Sequence, residues 1–208
     1  MNGLFDGIFP KNKEKILNLI GSDFLTVNEN VNITSFVMQK RSLCYIEYGK
    51  IQIIKNAYNG NRIIIDEYKC GDLIENIRNS DLEIITQKPT KILSFDYNEL
   101  LNISKKKISQ ADLFQRNVLI LMHRIIQKNS YRIEILSQKT IRNKLLHYFS
   151  INSNSQTQSF YISSTFSALA DYLCVDRCAM TREIKNLKDE GLIKIKGKKI
   201  TLLYSVNY

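Results

Sequence analysis

The side chains best equipped for chemistry gather near the C-terminal end of the chain. In the segment STFSALADYLCVDRCAMTREIKNLKDEGLIKIKGKKITLL, Arg177, Cys178, Thr181, Arg182 and Lys185 recur at steps of one, three and four. On an α-helix such steps collect side chains on one face. Met180, Ile184 and Leu187 are apolar at the complementary positions, so the cation-bearing face is expected to point outward. A guanidinium is a rigid fork of donors that matches guanine O6 and N7 or a phosphate, whereas an ammonium holds phosphate as a point charge. Thr165 stands where it caps the preceding helix, and exposed amides at a helix start also hold phosphates. Lys196 and Lys198 flank Gly197 further on. Between Arg177 and Lys199 there are eight cations and three anions. The positive charge is therefore local to one motif, and not merely a share of the net +10 that a lysine-rich composition gives the whole chain.

The elements that must position these groups can be read around them. Thr165 begins a helix expected over 166–173, and Asp176 begins a second over 177 to about 190. Three residues separate them. Ala170 is small where the two would cross, and Leu169, Leu173, Val175, Met180, Ile184 and Leu187 would share one small core. Gly191 ends the second helix. LIKIKGKKITLL then reads as two short strands around Gly197, a basic wing.

Other chemistries find little support. His123 and His147 are the only histidines, and none lies in residues 1–110. A metal enzyme on a β scaffold usually needs two or three histidines and a carboxylate, so no catalytic residues, metal site or cofactor are expected. Cys44, Cys70, Cys174 and Cys178 show no C-x-x-C spacing. Cys174 and Cys178 would share a face if both lay on one helix, which leaves a redox role open. The longest apolar run, Val118 to Met122, is far below the ~20 residues of a membrane span. The N-terminal MNGLFDGIFPKNKEK has no signal-peptide pattern. A cytoplasmic protein with no membrane association is the expectation.

The first third of the chain reads as β. CYIEYGKIQIIK offers two strands broken at Gly49, Asn59-Gly60 is a hairpin signal, and RIIIDEY, EIIT and KILSFD follow with turns at Cys70-Gly71-Asp72 and Pro89. Such spacing suits a barrel or sandwich. From about Ser109 the period lengthens to three and four, with no Gly or Pro, which predicts a helix of roughly seven turns. Val118 to Met122 is apolar on every side, so more than one face must be covered. Phe114, Val118, Leu121, Met122 and Ile125 are expected to form a dimer interface, the alternative being a core helix within one protomer. The polar stretch SINSNSQTQS reads as a loop.

LADYLCVDRCAMTREIKNLKDEGLI resembles the winged helix-turn-helix of the Crp/Fnr regulators, and YIEYGKIQII, NGNR and CGDL resemble that family's β-roll. The resemblance covers nearly the whole chain. It implies an α+β fold: an N-terminal double-stranded, cupin-like β-roll as sensor domain over 1–108, a dimerisation helix over 109–137, and a winged helix-turn-helix over 138–208. It implies a homodimeric transcription regulator reading a near-palindromic site on double-stranded DNA. RNA polymerase and an unidentified small-molecule effector are further candidate partners. Arg177 and Arg182 fall on the family's recognition-helix arginines. The sequence departs from the family pattern at three places: Cys174 replaces a turn glycine, Phe166 replaces a basic residue, and Cys178 replaces an acidic base-reading residue. The family's phosphate cassette is absent, since Glu75 and Arg78 are three apart with no glycine before the glutamate. Cyclic-nucleotide binding is therefore not expected. A β-roll sensor acting mainly through protein partners is the alternative reading.

Overall fold

A computed structural model describes residues 3–38, 42–56, 62–75, 81–162 and 165–204. The Asn59-Gly60 turn and Arg78 lie outside them, as does the side chain of Glu75. The chain divides into two compact units, residues 1–127 and 128–208.

In the first unit, α1 (Pro10–Leu19) is followed by β1 (Asp23–Val27), the short α2 (Thr34–Val37), β2 (Ser42–Tyr48), β3 (Lys50–Asn56), β4 (Arg62–Lys69), β5 (Leu73–Glu75), β6 (Leu82–Thr86) and β7 (Thr90–Asp96). The strands make two antiparallel sheets, ordered β1-β7-β2-β5 and β4-β3-β6. The break between β2 and β3 falls at Gly49, with φ 103. A Cβ there would lie 2.3 Å from Thr90 Oγ1 and 2.6 Å from the Pro89 carbonyl oxygen, so only glycine lets the two corners meet. Period-two patterning sorts β6: Leu82, Ile84 and Thr86 face inward. With Ile46, Ile51, Ile53, Ile74 and Ile92 they help fill the space between the sheets, and Cys44 is buried among them. Burial raises the Cys44 thiol to about 11, which makes it an inert apolar filler.

The other face of the first sheet carries Leu43, Leu73, Leu93 and Phe95. They pack against Ile16 of α1, Ile20 just after it, and α4 (Ala111–Leu136), which follows α3 (Tyr97–Asn102) and a 3-10 turn over Ile103–Lys106. Asn117 of α4 is buried and donates hydrogen bonds to the carbonyls of Leu4 (3.1 Å) and Asp6 (3.0 Å), tying down the N-terminal segment. Phe5 stacks on Phe114 at 5.5 Å between ring centroids.

This packing bears on the residues expected at a dimer interface. Phe114, Val118 and Leu121 are 0–2% exposed inside the first unit's own core, and Met122 and Ile125 are half-buried against it. Met122 and Ile125 keep part of their surface open. The large apolar side chains that α4 exposes include Leu119 (65%), Ile126 (63%) and Ile133 (66%), at seven-residue spacing, beside Tyr131 (46%).

In the second unit the last turns of α4 join α5 (Ile141–Asn152), β8 (Ser159–Tyr161), α6 (Phe166–Leu173), α7 (Arg177–Asp189), β9 (Ile193–Lys196) and β10 (Lys199–Leu202). The sheet order is β8-β10-β9, antiparallel throughout. Strand β8 begins at the end of the polar stretch read from sequence as a loop. Ile135, Leu145, Phe149, Leu169, Leu187 and Ile200 are among the residues of its core.

Candidate nucleic-acid interface

The start of each hairpin helix is fixed by a side-chain cap. Thr165 Oγ1 accepts from the Ala168 amide at 3.2 Å, and Asp176 Oδ1 from the Ala179 amide at 2.7 Å. Such caps satisfy amides that would otherwise be orphaned, each typically worth ~1 kcal/mol. Leu169, Ala170, Leu173, Met180, Ile184 and Leu187 are buried together, and Val175 is half-buried beside them. At the far end of α7, Gly191 takes φ 73 and its amide reaches the Lys188 carbonyl.

Between the helices Cys174 sits in the left-handed region, with φ 53 and ψ 53, and its amide donates to the carbonyls of Ala170 and Asp171. The turn thus keeps the conformation that favours glycine, and the cysteine carries it with strain. Cys174 terminates α6 while Cys178 lies in the first turn of α7. The two thiols are not on one helix, and the shared-face argument for a redox pair falls with that.

The core fixes which way α7 faces. Arg177, Cys178, Thr181, Arg182 and Lys185 are all exposed. The Thr181 hydroxyl donates to the Arg177 carbonyl at 2.8 Å. Among the described residues, no carboxylate pairs with Arg177, Arg182 or Lys185. Two of α7's acidic neighbours are instead held from α5. Arg142 Nη1 bonds Glu183 Oε1 at 3.1 Å and Glu190 Oε1 at 2.9 Å, and Nη2 pairs with Glu190 Oε2. The Arg142 hydrogen bonds hold the Glu190 carboxyl below its ordinary range.

In the wing, Ile195 lies opposite Ile200 and both turn to the core, so Lys194 and Lys196 turn outward. Lys198 is exposed in the turn beside Gly197, whose φ is 60. Thr165 is exposed and Phe166 is 38% exposed at the start of α6. The structure thus brings Arg177, Cys178, Thr181, Arg182 and Lys185 onto one surface of one helix. Lys196 and Lys198 stand on the wing and Thr165 at the neighbouring helix start.

Sequence reasoning missed Arg142, whose partners are 41 and 48 residues away and leave no local spacing signal. It also missed Leu119, Ile126 and Ile133, although their seven-residue repeat was there to be read. Among the described residues no group of three or more His, Cys, Asp or Glu could hold a metal ion. Nor is any helix of those residues long and apolar enough to cross a membrane.

A β-roll followed by a long helix and a winged helix-turn-helix is the architecture of the Crp/Fnr regulators, and this chain shares that fold. It is similar to a CooA mutant from Carboxydothermus hydrogenoformans, with a TM-score of 0.69 and 16% identity over 90% of this chain and 89% of that one. The c-di-GMP-responsive global regulator CLP of Xanthomonas campestris matches with a TM-score of 0.62 and 16% identity, over 95% of this chain and 100% of its own. A CRP-family transcriptional regulator from Thermus thermophilus matches at 0.53 and 16%, over 86% and 92%. No family model and no curated protein matches the sequence.

Proposed function

We propose that the protein is a cytoplasmic, sequence-specific DNA-binding transcription regulator that acts as a homodimer. One observation carries the reading: the exposed face of α7 presents Arg177, Arg182 and Lys185 with no carboxylate paired to them among the described residues. The major groove of B-DNA admits a helix, and an arginine there can address guanine O6 and N7 with both arms. Thr165, Lys196 and Lys198 stand at the periphery, where contacts to phosphate fix register without reading sequence. Cys178 is a poor acceptor for cytosine N4, so the preferred site should differ from one read by a glutamate at that position.

The dimer is assigned to the face of α4 that carries Leu119 and Ile126 in the first unit. Large exposed aliphatic side chains on one helix face mark an interaction surface. Two copies would present two α7 helices to successive major grooves, ~34 Å apart along the duplex. The space between the β-roll sheets is occupied by the chain's own isoleucines. That supports a regulator that does not take a cyclic nucleotide there.

The test is enrichment of binding sites from random duplex DNA with the full-length protein. A near-palindrome with half-site centres about 10 base pairs apart is expected. Recovery of no preferred sequence would contradict the reading.

A further inference from the structure

We infer that Arg142 is a positioning residue for the recognition helix: from α5 it locks α7 in its reading pose and neutralises the two carboxylates that would oppose a phosphate backbone. The inference rests on the DNA-binding reading above and deepens it.

The geometry supports both roles. Arg142 lies in the first turn of α5 and is only 35% exposed as a side chain. Its guanidinium spans two points of α7, Glu183 in the middle of the helix and Glu190 at its C-terminal cap. Two attachments seven residues apart lie about two turns apart, ~10 Å along the axis. They resist rotation of α7 about its own axis and tilt away from α5, which a single contact would not. The buried Met180, Ile184 and Leu187 set which face α7 turns inward, and the planar fork adds a directional constraint to that packing.

The charges matter separately. Glu183 is 22% exposed and Glu190 is 47% exposed, on the flank of α7 that faces α5. Asn186 also donates to Glu183 Oε2 at 3.2 Å, so that carboxylate is held on both oxygens. Without Arg142, two anions would stand uncompensated within about a Debye length of the same helix's cations. Exposed ion pairs contribute little to folding, and the burial of Met180 and Leu187 is not in question. The effect is therefore expected in DNA binding before it is seen in stability.

The test uses the full-length protein, a duplex enriched from random DNA by the wild type, and an unrelated duplex of equal length at the same salt. Arg142→Ala should weaken both duplexes and lower the ratio of selected to unrelated affinity about tenfold, the range of couplings between residues in one network. Arg142→Lys should restore the unrelated duplex but not the ratio, because the charge returns without the fork. Glu183→Gln with Glu190→Gln separates the roles more sharply and serves if Arg142→Ala does not fold. Removing two anions should hold or raise affinity for the unrelated duplex while the ratio falls. A wild-type ratio in that double variant overturns the inference. So does an equal loss on both duplexes, which a merely structural role would give. Failure of the wild type to enrich any sequence defeats the DNA-binding reading itself, and this inference with it.

Discussion

Helices α4 and α7 pose the same question, which face is covered and by what, and the sequence answers it for only one of them. In α7 the large apolar positions Met180, Ile184 and Leu187 are few, and most of the others are polar or charged. A narrow apolar stripe has one orientation that buries it, and the cations must then point outward. In α4 the stretch from Val118 to Met122 is apolar on all sides. Hydrophobicity then says that several faces are covered but not by which partner. The structure gives Phe114, Val118 and Leu121 to the protomer's own core and leaves Leu119, Ile126 and Ile133 exposed. Binary pattern locates a face only where polar residues define its edges.

The contrast can be tested from its largest expected effect downward. Phe114→Ala removes a fully buried ring stacked on Phe5. It should cost about 3–5 kcal/mol in denaturant unfolding. If Phe114 served an interface instead, the loss would depend on protein concentration. Ile126→Glu should leave the unfolding midpoint of a dilute sample nearly unchanged and weaken self-association by roughly 30-fold or more, as a central contact does. Analytical ultracentrifugation reads this directly, and a dimer that persists would return the interface to another surface. On the wing, Lys196→Ala or Lys198→Ala should weaken all duplexes alike and lower the salt slope by about one. Smallest is Cys174→Gly, which relieves a left-handed non-glycine residue and should raise stability by about 0.5–1 kcal/mol. No gain in melting temperature would show that the turn carries no strain.

Acid sharpens the same picture. Because the Arg142 hydrogen bonds depress the Glu190 carboxyl, the contribution of that pair is complete above the ordinary glutamate value of about 4.3 and fades only as pH falls through the lower folded value. Binding selectivity should therefore be flat through neutral pH with respect to this group.

Much of the fold was legible because its signals are local. The helix boundaries at Thr165 and Asp176, the Gly191 stop, the wing around Gly197 and the strand break at Gly49 each follow from one or two residues. Strands β1, β5 and β8 were not read from sequence. Two of them have three residues, and their pairing is decided by neighbours distant in the chain. For the candidate site, the cationic face was readable from helical period alone. The conformation of Cys174 was left open because cysteine has no strong preference that marks the left-handed region. Arg142 was invisible, since an ion pair across 48 residues has no period at all.

The measurement that bears most directly on the account is site enrichment from random duplex DNA repeated with Arg182→Ala beside the wild type. If the exposed face of α7 reads base edges, the variant should lose preference at one symmetric position of each half-site and ~1–3 kcal/mol of affinity, while its non-specific binding changes little. Enrichment of the same sequence with the same affinity by both proteins would contradict the assignment.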